Sequence, residues 1–149
     1  MPDYTDWSLA RSHELAEATA KEMGLKHQKR LCGRCEGSED VHVIIPEMKE
    51  PGGYRRWNPS ECMSDAVLWI LHIRKTNRCK VEIILHDGSV VCKVKSHAGH
   101  MLGCGGADEE DCARVITVSG LRAMATLEEK REMLEEKRQL NKKMESDQS

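Results

Sequence analysis

Two short stretches of this chain hold residue types that could do chemistry. The first is Cys32-Gly33-Arg34-Cys35, a C-x-x-C pair in which Gly33 allows the tight bend that lets two thiolates converge on a metal. The second is the run His97 to Gly106, in which His97-x-x-His100 and Cys104 sit among four glycines. Together they could supply a tetrahedral zinc site, with Cys32, Cys35, His97, His100 and Cys104 as the ligand pool and His42 or Cys62 in reserve. One C-x-x-C pair is only half of a four-ligand set, so the plainer expectation is a turn with two unligated thiols. A redox role would need the motif to open a helix, whereas Glu36-Gly37-Ser38-Glu39-Asp40 follows it. The His97 run could also serve as a Cys/His nucleophile pair or an anion cradle before a helix. It has no Lys-Ser/Thr after its glycines, so it is not a P-loop, and a loop covering the sheet edge is the plainer reading.

A third cluster, Tyr54-Arg55-Arg56-Trp57, is the one local patch that is both basic and aromatic, suited to stacking on a base or on a partner's side chain. Against this, Trp57 also stands where a hydrophobic staple would precede a helix start at Ser60. Asp87, Cys79 and Cys92 read as structural: a turn residue and two small apolar side chains on strands.

The elements that must position these residues follow from periodicity and end signals. Residues 5 to 23 are rich in Ala, Glu, Leu and Lys, with Asp6 as N-cap and Gly24 where a left-handed C-terminal cap belongs. Leu25 to Leu31 suits a short edge strand, and Val41 to Ile45 a strand ended by Pro46. A polar loop is expected through Pro51-Gly52-Gly53 to Arg56. After Ser60, the spacing of Met63, Ala66, Val67, Ile70 and Leu71 predicts a helix, widened by Leu68, Trp69 and Ile73 until it should be covered on more than one side. Val81 to Leu85 and Val90 to Val94 predict a hairpin around Asp87-Gly88, a pair suited to a type I′ turn. Ser96 to Gly106 reads as loop. A helix then starts with Asp108, Glu109 and Glu110 near its positive end and buries Cys112, Val115, Ile116, Ser119 and Ala123. From Thr126 the chain becomes a charged helix with leucine and methionine at seven-residue spacing, and its last residues should fray.

The expectation is an α+β fold, a small antiparallel sheet of about three to four strands layered between helices. It divides into a domain over 1–125 and a charged C-terminal helix over 126–149.

At 149 residues with 39% hydrophobic and 32% charged residues, one domain with a modest core is expected. A formal charge of −2 provides no global field for nucleic acid or anionic lipid, so neither is an expected partner. The apolar run Ala66 to Ile73 is too short to span a bilayer, and Met1 to Ala10 lacks the basic start and apolar core of a signal peptide. A cytoplasmic location follows as an expectation, and in a reducing compartment the seven cysteines should be thiols or ligands rather than disulfides.

The order of these elements resembles a known family. Ala20-x-x-Met23-Gly24-Leu25-Lys26, a strand, Asn58-Pro59-Ser60 before an Asp65-Ala66-Val67 helix, a hairpin, and an acid-started helix carrying Ser119-Gly120-Leu121-Arg122-Ala123-Met124 are similar to the phage ABA sandwich domain proteins. The likeness runs from about residue 15 to 124. Glu61-Cys62 departs from the family's Thr-Asp, and Gly120 stands where it has Ala. The resemblance implies phage or prophage origin and helix/sheet/helix layering, with no activity and no cofactor. The functional expectation is a non-enzymatic accessory protein that binds a host protein, such as a component of an antiviral defence system, in the host cytoplasm. The alternative is a small zinc protein of structural or regulatory role. A homodimer is also expected, because both the wide apolar helix face and the charged final helix suit one.

Overall fold

The computed structural model describes residues 7–31, 39–44 and 53–147. A 3₁₀ turn (Trp7–Leu9) leads into α1 (Ser12–Glu22), β1 (Lys26–Leu31), β2 (Glu39–Ile44) and β3 (Arg55–Trp57). Then come α2 (Met63–Asn77), β4 (Lys80–His86), β5 (Ser89–Lys95) and β6 (Met101–Asp108). A second 3₁₀ turn (Glu109–Asp111) precedes α3 (Cys112–Asp147). The fold is α+β. Its strands form two three-stranded antiparallel sheets, β1-β2-β3 and β4-β5-β6. Among the described residues no helix is long and apolar enough to cross a membrane.

The first sheet rests on α1. Glu14 Oε1 accepts from the Arg11 N–H at 3.0 Å, satisfying a donor at the helix start. Gly24, at φ 68°, closes the helix, with Gly24 N–H donating to Lys21 O and Leu25 N–H to Ala20 O, the paired bonds of a Schellman cap. The helix begins at Ser12 rather than at residue 5 or 6, and the expected cap Asp6 lies outside the described residues. Leu15, Ala16, Ala18, Thr19 and Ala20 are buried on α1, and Val41 and Val43 on β2, with Trp57 at the end of β3. The Trp57 indole N–H donates to Thr19 Oγ1 at 2.9 Å, so the one polar atom of this large side chain is satisfied inside the core. β3 falls where the sequence reads as polar loop. Its three residues pair with β2 (Val41 with Trp57, Val43 with Arg55), a pairing that local pattern does not reveal.

The second sheet fixes the register that the sequence leaves open. Val81 pairs with Val94, Ile83 with Cys92, and Leu85 with Val90. The connecting Asp87-Gly88 has φ of 36° and 81°, as a type I′ turn requires. β6 corrects a second expectation. Met101 to Asp108, read as glycine loop and helix start, is a full strand paired along β5.

The reason lies in α3. From Val115 to Leu121 every residue is buried, so this segment is enclosed by the second sheet, α2 and α1 rather than presenting a single stripe. The expectation that α2 would be the helix covered on several sides is therefore corrected. α2 buries Ala66, Trp69, Ile70 and Ile73 but leaves Met63, Val67 and Leu71 exposed, one turn apart along one face. The helices and strands meet on glycine. A Cβ on Gly103 would lie 2.5 Å from both Ala123 N and Ser119 O, and one on Gly120 would lie 2.5 Å from Trp69 Nε1.

These contacts grade the cost of adding one methyl group. Gly103→Ala meets helix backbone that cannot move aside and should lower stability by about 3 kcal/mol. Gly105→Ala meets the Ser119 hydroxyl at 3.0 Å and should cost about 1 kcal/mol. Gly106→Ala meets only ordinary contacts at 3.5 Å and should fall within about 0.5 kcal/mol of the parent. Urea denaturation followed by circular dichroism gives the ranking; equal midpoints for Gly103→Ala and Gly106→Ala would contradict the close approach.

Candidate functional site

Among the described residues, His97, His100 and Cys104 do not converge in the way their sequence spacing suggests. Cys32 and Cys35 lie outside the described residues. His97 and His100 are exposed on the short turn between β5 and β6. That turn closes on itself: Ser96 N–H donates to His100 O, His100 N–H to Ser96 Oγ, and Gly99 N–H, at φ 92°, to Ser96 O. Cys104 lies on β6 three residues beyond Met101, roughly 10 Å along an extended strand. Such a separation is too great for His100 and Cys104 to share one zinc at bonds of about 2 Å. Among the described residues no group of three or more His, Cys, Asp or Glu side chains could hold a metal ion. Nor is the His97 turn next to a helix start. The whole of β6 separates it from α3, and Glu109, Glu110 and Asp111 precede that helix, a charge that repels anions.

The basic-aromatic cluster is divided by the pleat. Trp57 is buried against α1 and is not available to stack on a base or partner. Arg55 turns toward α2, where Nη2 donates to Asp65 Oδ1 at 2.5 Å. Asp65 is buried, and its other oxygen accepts from the Asn58 N–H at 3.0 Å. This carboxylate therefore ties β3, the turn after it and the first turn of α2 together. The helix starts at Met63, with Ser60 buried in that turn and bonded to Asn58 Oδ1. Only Arg56, on the opposite face beside His42, and the half-buried Tyr54 remain open, and Arg56 lies 3.5 Å from Asp40. The cluster is mainly structural, apart from those two residues.

The thiols also separate by environment. Cys104 is exposed, whereas Cys79 and Cys92 are buried. Burial pushes the Cys92 thiol up to about 11 and raises that of Cys79, so both stay protonated and unreactive near neutral pH.

No protein-family model, curated protein or solved structure matches the chain. The surface itself is therefore the guide to function, and its most distinctive part is an edge that the sequence reading did not single out. β4 and β6 are the two edges of the second sheet. The β6 edge is closed by α3: Thr126 Oγ1 donates to Leu102 O at 2.8 Å and Arg122 Nη1 to Cys104 O at 2.7 Å. The β4 edge has no such cover among the described residues. Ile83, Ile84 and Leu85 are consecutive and exposed, Leu85 to 67%. Ile83 and Leu85 belong to the sheet face that buries Val90, Cys92 and Val94, but α3 lies over β5 and β6, and β4 beyond the half-buried Val81 is exposed. The signal was present in the unbroken Ile-Ile-Leu run. An edge strand facing water on one side should alternate, and this one does not.

Thiol labelling tests this placement. In a Cys32→Ser, Cys35→Ser background at pH 8, Cys104 should react with an alkylating reagent quickly. Cys79 and Cys92 should react only on the timescale of unfolding. Comparable rates at Cys92 and Cys104 by peptide mass spectrometry would show that β5 is not buried under α3.

Proposed function

We propose that this protein acts by binding another protein, and that it receives an extended segment of that partner along β4. The observation carrying this reading is the difference between the two edges of one sheet: α3 side chains bond the carbonyls of β6, while β4 is left with three consecutive exposed apolar residues. An edge strand presents a row of backbone donors and acceptors that an added strand can satisfy, and flanking side chains then set specificity. Long apolar edges are otherwise a liability in a monomer, because they template pairing. Ile84 stands on one face of β4 and Ile83 and Leu85 on the other, so an added strand would find apolar surface on both sides. The resemblance read from the sequence supports a host protein as the partner and the host cytoplasm as the place of meeting.

The test is an affinity capture from host lysate with the parent protein and with Ile84→Lys and Leu85→Lys. Both positions are exposed, so folding should be preserved, with urea midpoints within about 0.5 kcal/mol. Binding of the captured protein, repeated with purified components, should weaken by about tenfold or more for each variant. Unchanged affinity in both variants would remove β4 as the docking edge. A stoichiometric zinc that is lost on Cys32→Ser would replace this reading with a zinc-dependent one.

A further inference from the structure

The last turns of α3 have no place in the core. The helix packs as far as Leu127, and Arg131 still reaches Asn77 Oδ1 of α2 at 3.3 Å. Beyond this point residues 132–147 remain helical and every one of them is exposed. Sixteen residues at 1.5 Å each carry the helix roughly 24 Å away from the body. A free helix of that length is marginal in water, and this one also exposes Met133, Leu134, Leu140 and Met144, with Leu134 at 63%. At about 100° per residue these four fall on one side of the helix, with the aliphatic stem of Lys137 and the short polar Asn141 among them. Such a side is built to be covered.

The charges say by what. Next to the body stand Glu132, Glu135 and Glu136, with no basic residue between them. The outer part carries Lys137, Arg138, Lys142 and Lys143 against Glu145 and Asp147. A helix that is acidic near its root and basic near its tip is complementary to itself when turned end for end. Laid parallel, two copies would place acid on acid and base on base, which is destabilising. Laid antiparallel over these sixteen residues with the apolar sides facing each other, each copy's Glu136 falls beside the other's Lys143 on the same flank, while Glu135 and Lys142 point away from the pair. The two bodies then sit at opposite ends of the pair, where they do not collide. We infer that the projecting part of α3 pairs two copies of this chain as an antiparallel helical dimer, held by four apolar side chains per copy and by root-to-tip charge attraction. This inference does not depend on the proposed role of β4, which lies on the sheet and not on the projection.

Sedimentation equilibrium of the full chain from 1 to about 300 μM, a range bracketing moderate affinities, should show a monomer–dimer equilibrium that weakens at 1 M salt. The triple variant Lys137→Glu, Lys142→Glu, Lys143→Glu should be monomeric, as should Glu132→Lys, Glu135→Lys, Glu136→Lys, and an equimolar mixture of the two should dimerise. All six positions are exposed, and circular dichroism verifies that the fold is kept. Orientation is read by carbodiimide cross-linking of mixed ¹⁴N and ¹⁵N chains. Antiparallel pairing yields mixed-isotope links from Glu136 to Lys143, a pair separated by roughly 10 Å within one helix. A monomer throughout the range overturns the inference. So does a dimer that survives both charge reversals, or one whose mixed-isotope links join only neighbouring positions of the two helices.

Discussion

The structure depends on how closely one helix can approach a sheet on one side and a second helix on the other. α3 passes over β6 where Gly103 leaves room for its backbone and Gly105 for the Ser119 hydroxyl, and it meets α2 where Gly120 admits the Trp69 indole and Ile73. Each of these positions would be obstructed by an ordinary side chain. Interiors are packed to the density of organic crystals, so an approach of this kind gains dispersion contacts along the whole line and tolerates little substitution. With no Phe and three Trp in the chain, the core obtains its density from small residues brought close rather than from large rings.

Polar atoms buried by that approach are answered locally. Trp69 Nε1 donates to Thr117 O at 3.2 Å, and Thr117 Oγ1 lies 2.8 Å from both Pro59 O and Ala113 O. Ser119 Oγ donates to Val115 O at 2.7 Å. Hydroxyls that bond back to the preceding helical turn carry no unsatisfied donor into the core, so α3 can be buried on all sides while holding Thr and Ser. The same holds at Trp57 and Thr19 in the first sheet and for both oxygens of Asp65, which hold Arg55 Nη2 and the Asn58 N–H, whereas the buried Arg55 Nε has no hydrogen-bond partner among the described residues.

Surface and core are linked through the position of α3. Because the helix lies over β5 and β6, its Arg122 and Thr126 close one edge of the second sheet, and β4 is left as the open one. Because it continues for several turns past Leu127, a charged apolar-striped rod extends from the body. One element therefore decides what is hidden, what is offered on the sheet, and what projects beyond the core.

The sequence by itself determined the local elements: the Schellman stop at Gly24, the β2 strand, the α2 span, the Asp87-Gly88 hairpin and the charged final helix. Each is set by neighbours within a few residues, through caps, turn dihedrals and periodicity. The α+β class followed from their order. Only tertiary structure decided that Met101 to Asp108 is a strand, that α3 rather than α2 is enclosed, and that Trp57 and Arg55 serve the interior. Gly103, Gly105 and Gly106 carry loop character when read along the chain, but β6 uses two of them where a helix ten to twenty residues later needs room, a requirement that no local pattern expresses. The same reasoning applies to His97, His100 and Cys104. They are close in the chain, but an extended strand places Cys104 well beyond the turn, and spacing alone could not show it.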